Sequence, residues 1–494
     1  MHIHIFRTHT RRAATSLFGT LLLAVLAMTI MQSCDDDDSF TTSKSNRLTF
    51  STDTINMDTV FSQVPTSTYS FWVYNRSGDG IRCSTVRLAE GNQNGFRVNV
   101  DGIYLGETSG YATTNVEIRD DDSIRVFVEL TAPSNGLDGP QLIEDNLVFT
   151  LESGIEQSVV LMAYSWDAEM LTNVHYSSDT TIDPSGQPIV VYGGMTIDSL
   201  ATVTIVAGTT IYFNSGAGLD IYGTLIADGE TGNEVVMRGS RTDDMFDYLP
   251  YDRVSGQWEG VTVHASSFNN AFTFTDIHGA FDGIVCDSSV VTTPKLALYN
   301  STVHNCQGYG VKATNCYIDM RNTQVTNTLD DCVQIDGGYA LLLHCTIAQF
   351  YPFDSDRGYA LSYYDSASKP LSAMECINTI VTGYSDDVID GVTSIDDETF
   401  QYYYVSSILR TPEVEEDAER LRNVIWEDTE SEDSITGSKH FVLVDADYQD
   451  YDFHLDSLSP AIGAADPTYS LSIDRDGNVR DDAPDIGAYE YSGE

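Results

Sequence analysis

Two pairs of adjacent aspartates are candidates for acid–base chemistry in this sequence. Asp330 and Asp331 stand in the string DDCVQI, and Asp386 and Asp387 form a second pair. Cleavage of a glycosidic bond needs one carboxyl group that protonates the leaving group and another that activates water. Paired aspartates also suit a solvated corner between strands, and no complete catalytic set surrounds either pair. Asp330 and Asp331 therefore stand as the catalytic candidates, with a structural corner as the alternative.

A cluster of oxygen-bearing residues near the C-terminus has the spacing of a calcium loop. Positions one, three and five of an EF-hand-like loop are filled by Asp474, Asp476 and Asn478. Asp485 stands at position twelve, but Val479 occupies the sixth position, where such a loop requires glycine. We expect a structural turn here, with bound calcium as the alternative, and we predict no other cofactor.

Two aromatic segments are candidates for binding sugars. The first contains Phe246, Tyr248, Tyr251 and Trp258, and the second contains Tyr402, Tyr403 and Tyr404. An aromatic ring stacks on the CH surface of a sugar, while neighbouring amides and carboxylates bind its hydroxyl groups. We take five of these residues as ligand-binding candidates, with packing against the fold as the alternative role: Tyr248, Tyr251, Trp258, Tyr402 and Tyr403.

The charge of the chain restricts its partners. The sequence has 25 basic and 74 acidic residues, which give a formal net charge of -49. Such a field repels polyanions, so nucleic acid is excluded and acidic glycans would need bridging calcium. The chain is nevertheless 41 % hydrophobic, which is typical of a folded protein and not of a disordered acidic segment.

The N-terminus has the layout of an export signal. Three arginines precede an apolar run of 14 residues, Leu17–Ile30, which is shorter than a transmembrane helix requires. The following string MQSC resembles a lipobox with Cys34 as the acylated residue. The acidic run DDDD after it resembles the surface-export signal of Bacteroidetes lipoproteins. These resemblances imply a signal peptide over 1–33, an acidic tether over 34–46, and an outer-membrane lipid anchor facing the cell exterior.

Residues 47–170 alternate between apolar and polar side chains. Tyr69, Phe71 and Val73 share one parity, as do Phe96, Val98 and Val100 further along. An alternation with a period of two residues indicates strands that have one buried face and one solvent-exposed face. Seven or so such strands separated by turn residues predict an antiparallel β-sandwich of immunoglobulin-like type.

Residues 171–494 contain an internal repeat. Three similar segments begin at Lys295, Tyr317 and Tyr339, 22 residues apart. This spacing stacks Val303, Val325 and Ile347 in one column and Asn300, Asn322 and His344 in another. One coil of a parallel β-helix needs about this length, so we predict such a coil. We also predict that the stacked asparagines bond to the backbone at an inward turn, as a ladder along the axis.

Two segments of this region resemble a known family. IDSLATVTIVAGTTIYFNSGAGLDIYGTLIADG is similar to the opening coils of bacterial right-handed β-helix proteins. HLDSLSPAIGAAD with DRDGNVRDDAPDIGAYEY resembles the C-terminal module of the secreted "choice-of-anchor" family. The resemblance implies a right-handed parallel β-helix of the pectin lyase-like fold with a capping module over about 440–494. That family includes polysaccharide-cleaving enzymes and proteins of unknown role.

We predict a non-catalytic, lipid-anchored surface protein that presents its β-helix to a neutral polysaccharide, the matrix or a surface protein. The alternative is a carbohydrate-active enzyme. DDCVQI resembles the paired-aspartate motif of polygalacturonases, but the GHG and RIK motifs of that family are missing. A polysaccharide lyase would need clustered cations, and only eight lysines and arginines are spread between residues 185 and 400.

Overall fold

The computed structural model describes residues 39–183, 186–246, 248–395, 400–414, 419–431 and 433–493. The structure is 51 % strand and 2 % helix, which confirms the prediction of an all-β chain. The predicted signal peptide, Cys34 and the acidic run after it lie outside the described residues. Within the described ranges, no helix is long and apolar enough to cross a membrane.

Ten strands near the N-terminus form two five-stranded sheets, with the orders β1-β3-β8-β5-β6 and β2-β10-β9-β4-β7. The first sheet is antiparallel throughout, and in the second β4 pairs antiparallel with β7 and β9. Alternate residues are buried, as Phe71 and Val73 show in β3. The rings of Phe50 and Phe149, one from each sheet, lie 5.2 Å apart. The strands are β1 Leu48–Phe50, β2 Thr54–Phe61, β3 Tyr69–Asn75, β4 Ile81–Leu88, β5 Phe96–Val100, β6 Ile103–Tyr104, β7 Ala112–Ile118, β8 Ser123–Leu130, β9 Gln141–Leu151 and β10 Glu156–Trp166, with a 3₁₀ helix at Glu107–Ser109.

The next part of the chain forms one sheet of 26 strands, which we call the coiled sheet. Strands one turn apart pair in parallel, as in the series β23, β26, β28, β30, which is consistent with a parallel β-helix. Its strands are β11 Glu169–Tyr176, β12 Thr180–Ile182, β13 Ile189–Ile197, β14 Thr202–Val206, β15 Thr210–Phe213, β16 Gly218–Ile221, β17 Thr224–Asp228, β18 Val235–Gly239, β21 Gly260–Val263, β22 Asn270–Thr273, β23 Thr275–His278, β24 Ile284–Cys286, β25 Leu296–Tyr299, β26 Thr302–Cys306, β27 Val311–Arg321, β28 Gln324–Thr328, β29 Val333–Leu343, β30 Thr346–Gln349, β31 Leu361–Asp365, β32 Leu371–Ile377, β33 Ile380–Gly383, β34 Ile389–Thr393, β35 Tyr402–Val405, β36 Ile408–Leu409, β37 Leu421–Arg422 and β38 Ile425–Trp426.

Two groups of short elements accompany the coiled sheet. The hairpin β19 Asp244–Phe246 and β20 Leu249–Pro250 is followed by a 3₁₀ helix at Tyr251–Arg253. A 3₁₀ helix at Gly437–His440 precedes the antiparallel pair β39 Phe441–Asp445 and β40 Asp450–Leu455. We call residues 437–493 the C-terminal module.

The register of the coiled sheet follows the internal repeat. Val303 pairs with Val325, and Val325 pairs with Ile347. All three side chains are fully buried in one apolar core that runs through the coils. The predicted stacking of these residues is therefore confirmed, and burial of such a continuous column is the main stabilising contribution to a coil of short strands.

One corner of the coil has a left-handed backbone in seven successive turns. Positive φ angles of 42° to 53° occur at Phe274, Asn300, Asn322, His344, Asn378, Ser406 and Asn423. Asparagine tolerates this conformation better than most residues, which explains why it recurs here. The residue after each left-handed corner residue, and not the asparagine itself, makes the inward hydrogen bonds between coils. Thr323 Oγ1 donates to the carbonyl of Leu298 at 2.8 Å, and Thr379 Oγ1 donates to that of Leu342 at 3.3 Å.

The asparagines instead hold the C-terminal module, which differs from the predicted ladder. Asn322 Nδ2 donates to the carbonyl of Ile473 at 2.8 Å, and its Oδ1 accepts from Arg480 at 3.0 Å. Asn378 bonds both backbone groups of Asp466. Apolar residues of the module complete the attachment by packing on outward residues of the coil: Phe453, Leu455, Ile486 and Ala488 against Ala348, Ile380 and Ile408.

We predict that Asn322→Ala lowers the free energy of unfolding by about 3 kcal/mol. The change removes two hydrogen bonds worth about 1 kcal/mol each and adds a left-handed alanine that costs about 1 kcal/mol. Hydrogen exchange should quicken in residues 473–480. Asn423→Ala is the matched control because its residue has the same corner conformation (φ 53°) with an exposed side chain. Equal losses in the two variants, measured by chemical denaturation, would contradict the anchoring role.

Candidate functional site

A cleft of about 560 Å³ lies between the outward face of β23, β26 and β28 and the C-terminal module. Successive residues of a strand point to opposite sides. Asp276 and His278 of β23 and Thr302 and His304 of β26 therefore face outward while Val303 fills the core. The register pairs Asp276 with Thr302 and His278 with His304, so four polar side chains stand in two adjacent rows.

One wall of the cleft carries a chain of ionic contacts centred on His278. Its Nδ1 lies 2.5 Å from Asp276 Oδ1, and its Nε2 lies 2.8 Å from Asp252 Oδ1. Arg238 contacts the same oxygen of Asp252 at 2.5 Å. His304 lies beside this chain, with Nε2 at 3.4 Å from Asp276 Oδ1. His278 is thus held from both sides by carboxylates.

The opposite wall repeats this arrangement with residues of the C-terminal module. His454 Nδ1 lies 2.6 Å from Asp452 Oδ1, and Nε2 lies 2.8 Å from Asp476 Oδ2. Both histidines therefore follow an aspartate by two residues on a strand and bind a second aspartate from elsewhere. Arg475 beside them joins the walls, because it donates to Thr302 Oγ1 at 2.9 Å and to Glu234 Oε1 at 2.6 Å.

The carboxylates keep both histidines protonated at neutral pH. Burial lowers the pKa of His278, but the charge of Asp276 and the hydrogen bonds to Asp252 and Asp276 outweigh it and raise this pKa to about 9. The hydrogen bond that His454 donates to Asp476 has the largest influence on its pKa and, with the one donated to Asp452, raises that pKa to about 9 despite partial burial. Imidazolium and carboxylate thus neutralise each other on each wall.

The same pairing keeps the aspartates ionised. Burial raises the pKa of Asp252, yet the hydrogen bond from His278 and the nearby positive charges bring it to about 2. Burial likewise opposes ionisation of Asp276, but His278 and His304 hold its pKa well below the usual value. The hydrogen bond from His454 lowers the pKa of Asp476. Each carboxyl group of the cleft with a resolved shift is therefore biased towards the charged form.

Exposed aromatic rings stand at the rim. Phe246, Tyr248 and Tyr448 are each 52 % exposed. Tyr248 stacks on Phe246 with ring centroids 5.7 Å apart and meets the edge of Tyr448 at 5.6 Å. Arg253 ties this group to the cleft, because it donates to the carbonyl of Tyr448 and pairs with Asp450 at 3.1 Å. An open aromatic platform therefore adjoins a polar cavity.

The other aromatic candidates of the first segment have structural contacts. Trp258 is 1 % exposed, stacks on Phe213 with centroids 4.3 Å apart, and donates through Nε1 to the carbonyl of His278 at 2.8 Å. The guanidinium of Arg241 covers the ring of Tyr251 at 3.7 Å. Trp258 thus supports the cleft from behind, while Tyr251 begins the 3₁₀ helix that carries Asp252.

The second aromatic segment lies elsewhere, at the last coils of the coiled sheet. Tyr402 packs against Tyr363 and Phe400, with centroids 5.6 Å and 5.1 Å away, around a cavity of about 240 Å³. Tyr403 donates its hydroxyl to Gln401 Oε1 at 2.7 Å. Neither tyrosine lines the cleft that contains His278.

The paired aspartates Asp330 and Asp331 also lie outside the cleft. Asp331 is buried and accepts hydrogen bonds from Tyr359 N at 2.8 Å, Ser362 Oγ at 2.6 Å and Gln334 Nε2 at 2.9 Å. Partial burial, and then the charges of Asp331 and Asp282, raise the pKa of Asp330. The pair occupies a corner at which Asp331 fastens the next turn of backbone.

The calcium-spaced residues belong to a tight turn of the C-terminal module. Asp474 is fully buried, and its carboxylate accepts from the backbone N–H groups of Asp476, Asn478 and Glu490. Asn478 Nδ2 donates to it as well, at 3.2 Å. Asp476 turns away from this carboxylate to His454. The oxygens of Asp474 are therefore occupied by N–H donors of the turn itself.

Of the residues that line the cleft, only Asp476 was a candidate from the sequence, and it was one for calcium. An available signal was the pattern Asp-x-His, which occurs at 276–278 and again at 452–454, both times within an alternating strand. His304 belongs to the 22-residue repeat, because it pairs with Thr326, but His278 stands 26 residues before it, so the spacing of the repeat does not align the two histidines. Three of these side chains could hold a metal ion, since ligand atoms of Asp276, His278 and His304 lie within 4.8 Å of one another.

We predict that His454 titrates near pH 9 in the folded protein. An unfolded histidine titrates near pH 6.5, so the stabilisation from this network is complete below about pH 6.5 and is lost as the pH rises to about 9. Asp476→Asn should lower the pKa of His454, because it removes the charged partner of Nε2. An NMR titration of the imidazole ring measures both values, and a wild-type midpoint near 6.5 would contradict the network.

Comparison with known proteins adds no assignment to this geometry. No protein-family model matches the chain. A search of curated proteins gives no significant match. What the cleft binds therefore has to be argued from its residues.

Proposed function

We propose that this chain is a lipid-anchored surface protein whose right-handed β-helix binds a neutral saccharide without cleaving it. The observation that carries the proposal is the exposed platform of Phe246, Tyr248 and Tyr448 at the rim of a polar cleft. Sugars combine apolar CH faces with many hydroxyl groups, so a ring platform beside hydrogen-bonding side chains suits them.

The lining of the cleft supports a saccharide over an apolar ligand. Amide side chains contribute from both walls, with Asn305 and Gln324 on the coiled sheet and Gln449 on the C-terminal module. Amides donate and accept at the same time, as do sugar hydroxyl groups. Charged carboxylates add strong acceptors for hydroxyl donors.

The charges of the cleft favour a neutral ligand. Six carboxylates line it, from Glu234, Asp252, Asp276, Asp450, Asp452 and Asp476. Arg253, Arg475 and the protonated histidines offset part of this charge, but the surrounding chain has a formal charge of -49. A uronate or sulfated chain would meet repulsion on approach, whereas a neutral polysaccharide would not.

The ionisation of the cleft supports binding over hydrolysis. A glycosidase needs one carboxyl group that stays protonated at working pH, which requires a raised pKa. The pKa values of Asp252, Asp276 and Asp476 are all lowered. Asp330 has a raised pKa but does not line the cleft. A carbohydrate-active enzyme, hydrolase or lyase, remains the alternative that the binding experiment can detect.

The attachment to the outer membrane is proposed from sequence. Acylation of Cys34 would anchor the chain, the acidic tether would direct it to the cell exterior, and the N-terminal sheets would form an immunoglobulin-like domain. Lipid chains on an acylated cysteine can hold a protein at a membrane through the apolar surface that they bury.

We predict that Tyr248→Ala weakens binding to a neutral oligosaccharide about two- to twelvefold. One aromatic contact contributes about 0.5–1.5 kcal/mol, which corresponds to such a factor. A panel of neutral and acidic oligosaccharides, measured by calorimetry, identifies the ligand. Tyr104→Ala is the matched control, since Tyr104 is 54 % exposed in β6. Unchanged affinity in Tyr248→Ala would contradict the platform, and release of shorter sugars would favour the enzyme alternative.

We predict that Cys34→Ser abolishes fatty-acid labelling of the chain and moves it from the membrane to the soluble fraction, because serine does not accept the thioether-linked lipid. Cys83→Ser is the control, since it removes a buried thiol of β4 and leaves the lipobox intact. Antibody labelling of intact cells tests display on the exterior. Membrane retention of Cys34→Ser would contradict the anchor.

A further inference from the structure

We infer that Asp276, His278 and His304 form a binding site for a divalent transition-metal ion, which opens into the cleft. The inference does not rest on saccharide binding, because it concerns only these three side chains and their supports. The site also differs from the alternative of calcium bound near Asp474, whose carboxylate is occupied by the N–H groups of its own turn.

The parallel register brings the three ligands together. Asp276 and His278 are two residues apart on β23 and face the same way, and His304 is the partner of His278 on β26. The two imidazole rings have centroids 4.8 Å apart, and the ligand atoms all lie within 4.8 Å of one another. Adjacent strands of a sheet are spaced at about this distance, so the convergence follows from the backbone.

The separations are close to those of a coordination sphere. Tetrahedral zinc with bonds of 2.0–2.1 Å has ligand atoms about 3.4 Å apart. Asp276 Oδ1 and His304 Nε2 are separated by 3.4 Å. His278 Nδ1 is nearer, at 2.5 Å from Asp276 Oδ1, because the two atoms are joined by a hydrogen bond. An ion would displace the proton of that bond and open this contact by about 0.9 Å.

The donor set selects the class of ion. Two imidazole nitrogens and one carboxylate oxygen suit zinc, iron, cobalt or nickel, whereas calcium and magnesium prefer oxygen ligands alone. Asp276 and His304 keep about a quarter of their side chains exposed, which gives an ion access from the cleft. Three protein ligands leave a coordination position for water or a ligand oxygen.

The residues behind the site hold the imidazole of His278 in one orientation. Second-sphere residues of known metal sites orient their histidine ligands in the same way. His278 Nε2 contacts Asp252 at 2.8 Å, which in turn contacts Arg238, so Nδ1 is directed towards the ion. Trp258 Nε1 donates to the carbonyl of His278 and fixes the backbone at this position. The six carboxylates of the cleft would also concentrate cations near its mouth.

The experiment is a titration of the untagged, chelator-treated chain with Co²⁺, followed by visible absorption, and with Zn²⁺, followed by calorimetry. We expect one ion per chain, with the absorption of nitrogen-coordinated cobalt, and no displacement by excess Ca²⁺. His304→Ala should remove this absorption, and Asp252→Asn should weaken binding about 10- to 100-fold. His304→Gln serves if the alanine variant does not fold, as judged by circular dichroism.

His454→Ala is the matched control. His454 has the same Asp-x-His pattern and faces the same cleft, but it lies outside the convergent group of three. Binding should be unchanged in this variant. Absence of Co²⁺ binding, equal loss in the His454 variant, or full binding by His304→Ala and His304→Gln would each overturn the site. Sugar affinity, measured with Tyr248→Ala, is a separate result and can fail or hold independently.

Discussion

The left-handed corner of the coil is the constraint on which the other features depend. It turns the backbone at the same place in every coil from Phe274 to Asn423, so the strands on either side stay in register. The next residue then places a hydroxyl group inward, where Thr323 and Thr379 bond the preceding coil. The asparagine side chains are left free to hold the C-terminal module. Since that module supplies one wall of the cleft, the cleft depends on the corner.

The two walls of the cleft use one chemical arrangement twice. In each, an aspartate precedes a histidine by two residues, and a further aspartate binds the other ring nitrogen. Such networks hold their side chains in one orientation because every partner is charged and hydrogen-bonded. The walls differ in one respect, the second histidine His304 beside His278. The wall with His454 therefore has only an ion-pair network, whereas the wall with His278 and His304 also has enough donor atoms to coordinate a metal ion.

The column of Val303, Val325 and Ile347 was predictable because a solenoid repeats both its length and its apolar positions in the sequence. The role of Asn322 was not, since its partner Ile473 lies 151 positions away and nothing local encodes that contact. The cleft was missed for the same reason, and because His278 and His304 are 26 positions apart, a spacing that the 22-residue repeat does not predict. The sequence around Asp331 resembles a catalytic motif, but the coil surrounds its carboxylate with N–H and O–H donors from other turns. The sequence alone does not show these contacts.

The spacing of the corner residues shows how the coil accommodates insertions in the sequence. Asn300, Asn322 and His344 follow one another at 22 positions, whereas Asn378 comes 34 positions after His344 and still occupies the same corner. The additional residues form a loop beside the coil, and Ile380 regains its place over Thr346 in the following strand. A loop insertion in one turn therefore leaves the strand register and the buried column of the other turns unchanged. Proteins of this kind can acquire new surface features in one turn without altering the others.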